Sequence, residues 1–194
     1  AGALAGLDAR DQATADRALI ALDGTPDKGR LGGNALIATS MAIAHAAAAE
    51  AGLPLWRYLG GGDDGRFLPL PEVQIFGGGA HAGGRVDIQD FLIMPVGADS
   101  FDEAMVMTAE VYRTAGDLMA ARGSRMGIAD EGGWWPDFAT NGAALDMLAS
   151  SIDAAGYGNG EVAIALDIAA SEFGENGHYH LGLEDRVVDT GEWL

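Results

Sequence analysis

The stretch Gly60-Gly61-Gly62-Asp63-Asp64-Gly65 constrains this chain more than any other feature. It offers nothing apolar to bury, and its glycines are too free in φ and ψ to hold a helix or strand, so it reads as a domain boundary. Residues 1–65 and 66–194 then form two regions with different patterning. In the first, apolar residues recur at helical spacing. Residues 11–22 form a helix that stops before Gly24. Asn34 is placed to N-cap a second helix, which runs through Ala48 and ends near Gly52. A short helical turn follows at 55–58.

Beyond the boundary the period changes. Residues 68–76 and 89–96 read as two strands joined by a glycine-rich segment. Ser100 and Glu103 make a capping box for a helix that reaches Arg122 and stops at Gly123. Residues 125–129 are a short strand, and 141–155 a helix closed by Gly156. The apolar run 162–168 suits a fully buried parallel strand. Asn176-Gly177 signals a hairpin turn between Glu172-Phe173 and Tyr179-His180-Leu181. This order is α/β and matches the opening of a barrel. A closed (β/α)8 barrel takes about 250 residues, whereas 129 remain from Arg66 onward, so the barrel is expected to be incomplete.

Apolar residues make up 48% of the chain, enough for a sizeable core. Twenty-nine acidic residues against 11 Lys plus Arg give a net charge of −18, which argues against nucleic acid and against anionic membrane surfaces. The same field repels a phosphorylated substrate unless divalent cations reverse its sign locally. There is no cysteine, hence no disulfide or thiolate zinc site, and a reducing cytoplasm is permitted. The most apolar run, 35–49, contains Thr39, Ser40 and His45 and is short for a bilayer span. The chain does not begin with Met, as expected of a piece of a longer or processed chain.

Two acidic positions stand out. Asp130-Glu131 follows the 125–129 strand directly, and Asp167 lies near the end of the run 162–168. In α/β barrels the site lies at the carboxyl ends of strands, and an ionised carboxylate there must be paired, hydrogen-bonded or metal-bound. Asp167 equally fits a loop or helix cap. Gly132-Gly133 either admit a ligand close to the backbone or simply make a turn. His81 sits in a glycine loop between two strands, where a loop can close over a ligand or lie on the surface. Two near-matches to a dinucleotide fingerprint, Gly60/Gly62/Gly65 and Gly77/Gly79/Ala82, are rejected because neither stands between a strand and a helix. His178 and His180 share a strand face but lack an evident third ligand, which favours an exposed hairpin. Trp134 and Trp135 either wall the acidic loop or fill core.

Several segments, in order, resemble the enolase family. Leu22-Asp23-Gly24-Thr25, Leu31-Gly32-Gly33-Asn34-Ala35 and Leu53-Pro54-Leu55-Trp56-Arg57-Tyr58-Leu59-Gly60-Gly61 resemble its N-terminal domain. The stretch from Pro71 through His81-Ala82-Gly83-Gly84, then Val86-Asp87-Ile88-Gln89-Asp90-Phe91, Asp130-Glu131-Gly132-Gly133 and Leu166-Asp167-Ile168-Ala169-Ala170-Ser171-Glu172-Phe173, resembles the first part of its barrel. The resemblance implies the end of a helical enolase-type N-terminal domain (1–65) followed by the truncated start of an enolase-type (β/α)8 barrel (66–194). It implies a cytoplasmic, Mg2+-dependent dehydration of 2-phosphoglycerate to phosphoenolpyruvate. A lysine base removes a proton, metal stabilises the anion formed, and a glutamate helps the hydroxyl leave. On these terms Glu131 matches the general acid, Asp167 one magnesium ligand, and His81 and Gln89 substrate contacts. Asp90 stands where the family has a substrate-contacting glutamate. The expected ligand is a small phosphorylated acid, and the expected assembly at full length is a homodimer.

There are departures. Asp90 is one methylene shorter than the glutamate, a retreat that can break a hydrogen bond of narrow reach. Gln74 and Gly77 replace asparagines, Ala129 replaces a glycine, and Trp134-Trp135 add bulk. They leave open an enolase-like paralogue acting on another phospho-, phosphono- or carboxylic acid, or a non-catalytic protein using the fold to bind. The lysine base, two further metal-ligating carboxylates and the phosphate-binding residues are expected beyond Leu194. Lys28, the only lysine, lies in the wrong region to replace the base. These 194 residues alone are therefore expected to be inactive and, with an open barrel, prone to aggregate.

Overall fold

A computed structural model of the chain describes residues 2–61 and 67–193, with the backbone alone at His81 and Trp193. Contacts divide it into two units, Ala1–Leu68 and Pro69–Leu194. Of the stretch 60–65 expected as the boundary, residues 62–65 fall outside the described residues.

The first unit is helical. α1 (Gln12–Asp23) begins where the Asp11 carboxylate accepts from the Thr14 N–H, and ends at Gly24, whose φ of 72° lets its N–H return to the Ile20 carbonyl. α2 (Gly33–Glu50) is entered through Gly32 at φ 88°, without a side-chain cap. The N-cap expected at Asn34 is thus corrected, because the glycine turns the chain earlier and places Asn34 inside the helix. Ala15 and Leu19 are buried on α1, and Ala44, Ala47 and Ala48 on α2. Gln12 Nε2 ties the pair by donating to Ser40 Oγ at 2.8 Å. α3 (Leu55–Leu59) follows. Asp23 is buried and accepts from the Thr25 hydroxyl, from the Thr25 N–H at 3.0 Å and from the Leu31 N–H at 2.7 Å. Its side chain thereby organises the Leu22-Asp23-Gly24-Thr25 turn.

The second unit contains β1 (Val73–Gly77), β2 (Asp90–Met94), α4 (Phe101–Arg122), β3 (Arg125–Ile128), β4 (Trp134–Pro136), α5 (Asn141–Ala154) and β5 (Ala163–Asp167). The strands form one sheet in the order β3-β4-β1-β2-β5. Among the described residues only β1 and β4 pair in parallel, through Phe76 and Trp134; β1–β2, β2–β5 and β3–β4 are antiparallel. The core lies between sheet and helices. Ile75, Phe76, Phe91 and Ile93 meet Met107, Val111, Ala115 and Met119, spaced by four along one face of α4, and Ala144, Met147, Leu148 and Ile152 of α5. Ser100 caps α4 by accepting from Glu103 N–H, while the Glu103 carboxylate returns to Asp99 N–H rather than to Ser100.

Two strand expectations need correction. The run 162–168 is neither parallel nor fully buried. β5 pairs antiparallel with β2 and has no second neighbour among the described residues, so Ile164 and Leu166 remain exposed. Residues 125–129 form the expected short strand, β3, which turns back antiparallel on β4, a strand the sequence did not announce. The first strand starts at Val73, five residues later than expected.

The chain then makes a second sheet, β6 (Gly174–Glu175), β7 (His178–Leu181) and β8 (Arg186–Asp189), before α6 (Thr190–Trp193). Asn176 and Gly177 have φ of 51° and 79°, the left-handed pair a two-residue hairpin requires. Glu175 therefore pairs with His178 and Gly174 with Tyr179. The strand expected at Glu172-Phe173 moves to Gly174, because Ala170–Glu172 is a 3-10 turn. No helix among the described residues is long and apolar enough to cross a membrane.

Candidate active site

Backbone register assembles one end of the sheet. Gly77 ends β1, Asp90 begins β2 and Asp167 ends β5; Gly77 pairs with Asp90, and Asp90 with Asp167. Because β2 runs antiparallel to both neighbours, the three positions lie side by side, with Asp90 at the start of its strand rather than at a carboxyl end. The β3–β4 hairpin adds Glu131 from its bend.

That bend is held from within and without. Ala129 N–H donates to Gly133 O at 2.8 Å and Gly132 N–H to Ala129 O at 3.0 Å. The Tyr112 hydroxyl donates to Gly132 O at 2.8 Å. Trp134 stacks on Tyr112 at 4.7 Å between ring centroids and donates its indole N–H to Tyr112 O at 2.8 Å. Trp135 points elsewhere, donating to Ala82 O at 2.7 Å. Of the two roles left open in the sequence, Trp134 takes that of core, packing beneath α4, while Trp135 fastens the glycine loop, a role the sequence did not suggest.

Two amides connect the carboxylates. Gln74 Nε2 donates to Asp90 Oδ1 and, at 3.1 Å, to Glu131 Oε2. Gln89 Nε2 lies 3.4 Å from Asp90 Oδ2 and 3.3 Å from Asp167 Oδ2. Glu131, Gln89, Asp90 and Asp167 therefore belong to one constellation. Asp90 is 5% exposed, whereas Glu131 and Asp167 face solvent. Asp90, one methylene shorter than the family's glutamate, is hydrogen-bonded across the sheet by the Gln74 amide.

The His81 side chain lies outside the described residues; its backbone is in the 3-10 turn Gly79–Ala82. The loop around it doubles back on itself: Gly78 N–H donates to Gln89 O at 2.6 Å and Gly79 N–H to Val86 O at 2.8 Å. A Cβ at Gly78 would come within 2.2 Å of Ile88 O, so close backbone approach fixes glycine there. Asp87 braces the loop foot. Its carboxylate accepts from Asn141 Nδ2 and Gly182 N–H, both at 2.8 Å, while Asn141 Oδ1 accepts from Asp87 N–H at 3.0 Å.

Asp167 Oδ1 accepts from Ala169 N–H at 3.1 Å, so this side chain also caps its own loop, the alternative the sequence allowed. Its carboxylate oxygens are hard donors of the kind magnesium takes, usually one or two from protein with the rest from water and substrate. Among the described residues no group of three or more His, Cys, Asp or Glu is placed to hold a metal ion. His178 and His180 lie on one face of β7, where His180 Nε2 is 4.0 Å from Asp185 Oδ1 and both rings are exposed. Sequence reading treated Gln74 only as a departure. Its signal was a polar residue inside the apolar run Val73-Gln74-Ile75-Phe76.

The family model described as the N-terminal domain of enolase matches residues 1–59, and that described as the C-terminal TIM barrel domain of enolase matches residues 65–194. A protein named enolase from Rubrobacter xylanophilus is 49% identical over 195 residues, covering 100% of this chain and 45% of its own length. The chain thus spans less than half the length of that relative.

Proposed function

The chain belongs to the enolase family, and from that premise we propose that the protein containing it dehydrates 2-phosphoglycerate to phosphoenolpyruvate with magnesium. The observation that carries this reading is the joining of Glu131, Asp90 and Asp167 through the Gln74 and Gln89 amides at one end of the sheet. In the reaction the substrate loses its C2 proton and its C3 hydroxyl, the latter as water. Glu131, on an exposed bend, is the acid that protonates the departing hydroxyl. Gln89 and Asp90 orient the substrate beside it, and His81 contacts it from the glycine loop. Asp167 would be one ligand of magnesium, which when bound supplies positive charge against the substrate's carboxylate and phosphate.

The proton-abstracting lysine is not among these residues. Lys28 belongs to the first unit, where its ammonium donates to Thr25 O at 3.2 Å and Pro26 O at 3.1 Å. The 194 residues alone are accordingly proposed to be inactive, and the full-length gene product to be an active, cytoplasmic homodimer. The test is magnesium-dependent phosphoenolpyruvate formation by both. Turnover by the short chain overturns the first half of the proposal. A folded full-length product that binds magnesium but leaves 2-phosphoglycerate untouched overturns the second. That outcome favours the paralogue reading, for which the altered pair Gln74 and Asp90 is the motive.

A further inference from the structure

We infer that Gln74 is a positioning residue for the acid pair, its single side-chain amide setting where both Asp90 and Glu131 stand; this rests on the role proposed for Glu131. Gln74 is 8% exposed, and every polar atom of its amide is used. Nε2 donates to Asp90 Oδ1 and to Glu131 Oε2 at 3.1 Å, and Oε1 accepts from Gly133 N–H at 2.7 Å. The Gly133 bond orients the amide, since it directs the oxygen to the bend and leaves the NH2 for the two carboxylates.

The surroundings are shaped to this amide. A Cβ at Gly133 would lie 2.5 Å from Gln74 Oε1, and one at Gly77 would lie 3.3 Å from both amide atoms and 2.4 Å from the Ala129 methyl. The strand is irregular here too: the β1–β2 register shifts between Gln74 and Phe76, and bulges commonly re-aim a side chain next to a site. Glu131 is exposed on a bend, and the Gln74 amide holds its carboxylate at 3.1 Å.

Reach is shared between the partners. Gln74 contributes two methylenes and Asp90 one. Asparagine at 74 with glutamate at 90 keeps the sum at three, whereas either change alone leaves a gap or a collision. The experiment uses the full-length gene product and measures kcat and KM for 2-phosphoglycerate, with melting temperatures alongside. Gln74→Leu is expected to lower kcat by roughly tenfold to a hundredfold with KM within about threefold. Gln74→Asn and Asp90→Glu are each expected to lose activity, and the double variant to recover at least about tenfold over the product of the two losses. Unchanged kcat in folded Gln74→Leu, or losses that multiply without recovery, overturns the inference. If Gln74→Leu does not fold, the double variant carries the test. If the wild-type product does not act on 2-phosphoglycerate, the functional proposal fails, and the same cycle read in melting temperature decides for Gln74. Coupling between positions 74 and 90 keeps its role, and additivity removes it.

Discussion

Gly133 shows how tightly single atoms are allotted in this site. Its backbone conformation is open to any residue, yet a methyl group there would run into Gln74 Oε1 at 2.5 Å and Cγ at 2.8 Å. Gln74 cannot step aside without leaving a buried amide or a buried carboxylate unpaired. Gly133→Ala is therefore expected to destabilise the full-length protein by about 1–3 kcal/mol, the usual range for overpacking, and to lower kcat because the Glu131 bend shifts. Denaturant titration with parallel kinetics checks both, and wild-type stability would show that Gln74 has room to move. Asp23 makes a residue-scale case in the first unit. The Thr25 hydroxyl, outweighing the opposing effect of burial, holds its carboxyl below the usual carboxylate range, helped by the Leu31 and Thr25 N–H groups. A group whose folded pKa is depressed stabilises the fold above its unfolded value, near 3.9, and that contribution is lost as pH falls through the lower folded value. Asp23→Asn should accordingly flatten the fall in melting temperature on acidification below about pH 4. A variant whose acid profile superimposes on wild type would remove Asp23 from the account.

At the scale of elements, α4 and the β3–β4 hairpin are fitted to each other at Gly116. Glycine inside a helix normally costs about 1 kcal/mol relative to alanine, so Gly116→Ala looks favourable on propensity alone. The geometry reverses the sign. A Cβ at Gly116 would sit 2.4 Å from Trp134 Cζ2, and that ring is pinned by its stack on Tyr112 and its 2.8 Å bond to Tyr112 O. Overpacking at about 1–3 kcal/mol exceeds the propensity gain, so Gly116→Ala is expected to lower the melting temperature and disturb the bend carrying Glu131. A higher melting temperature would refute this. The helices were legible in the sequence because 3.6-residue periodicity, Ser100, Gly24 and Gly123 are local signals that tertiary structure left intact. Strand direction was not, because antiparallel pairing of β2 with β5 is decided by how the chain crosses between them. Motif resemblance singled out Glu131, Gln89, Asp90 and Asp167, and the structure brings these four together. Gln74 was missed as a partner because its importance depends on which residues lie across the sheet, and Asn34 was misplaced because a glycine with positive φ can open a helix without a side-chain cap.

At the scale of the whole molecule, two opposing features meet. The outer strands of the five-stranded sheet expose Met126 and Ile128 on β3, and Ile164 and Leu166 on β5. Unpaired edges bearing apolar side chains invite pairing with another chain. Against this stands a net charge of −18, which keeps copies apart. The balance depends on salt, since the Debye length is about 30 Å at 0.01 M and about 3 Å at 1 M ionic strength. Charge repulsion acts across the larger distance and is screened first, whereas apolar contact acts at the surface and is not screened. The purified 194-residue chain is therefore expected to scatter light weakly in dilute buffer and to self-associate progressively as sodium chloride is added. The full-length product, if its further residues cover these strands, should hold one oligomeric state across the same range. Light scattering and sedimentation on both proteins decide the matter. A short chain that stays monomeric at high salt and melts in one sharp transition would mean that the exposed strands are not adhesive, and association that weakens with salt would mean that charge, not apolar surface, draws the copies together.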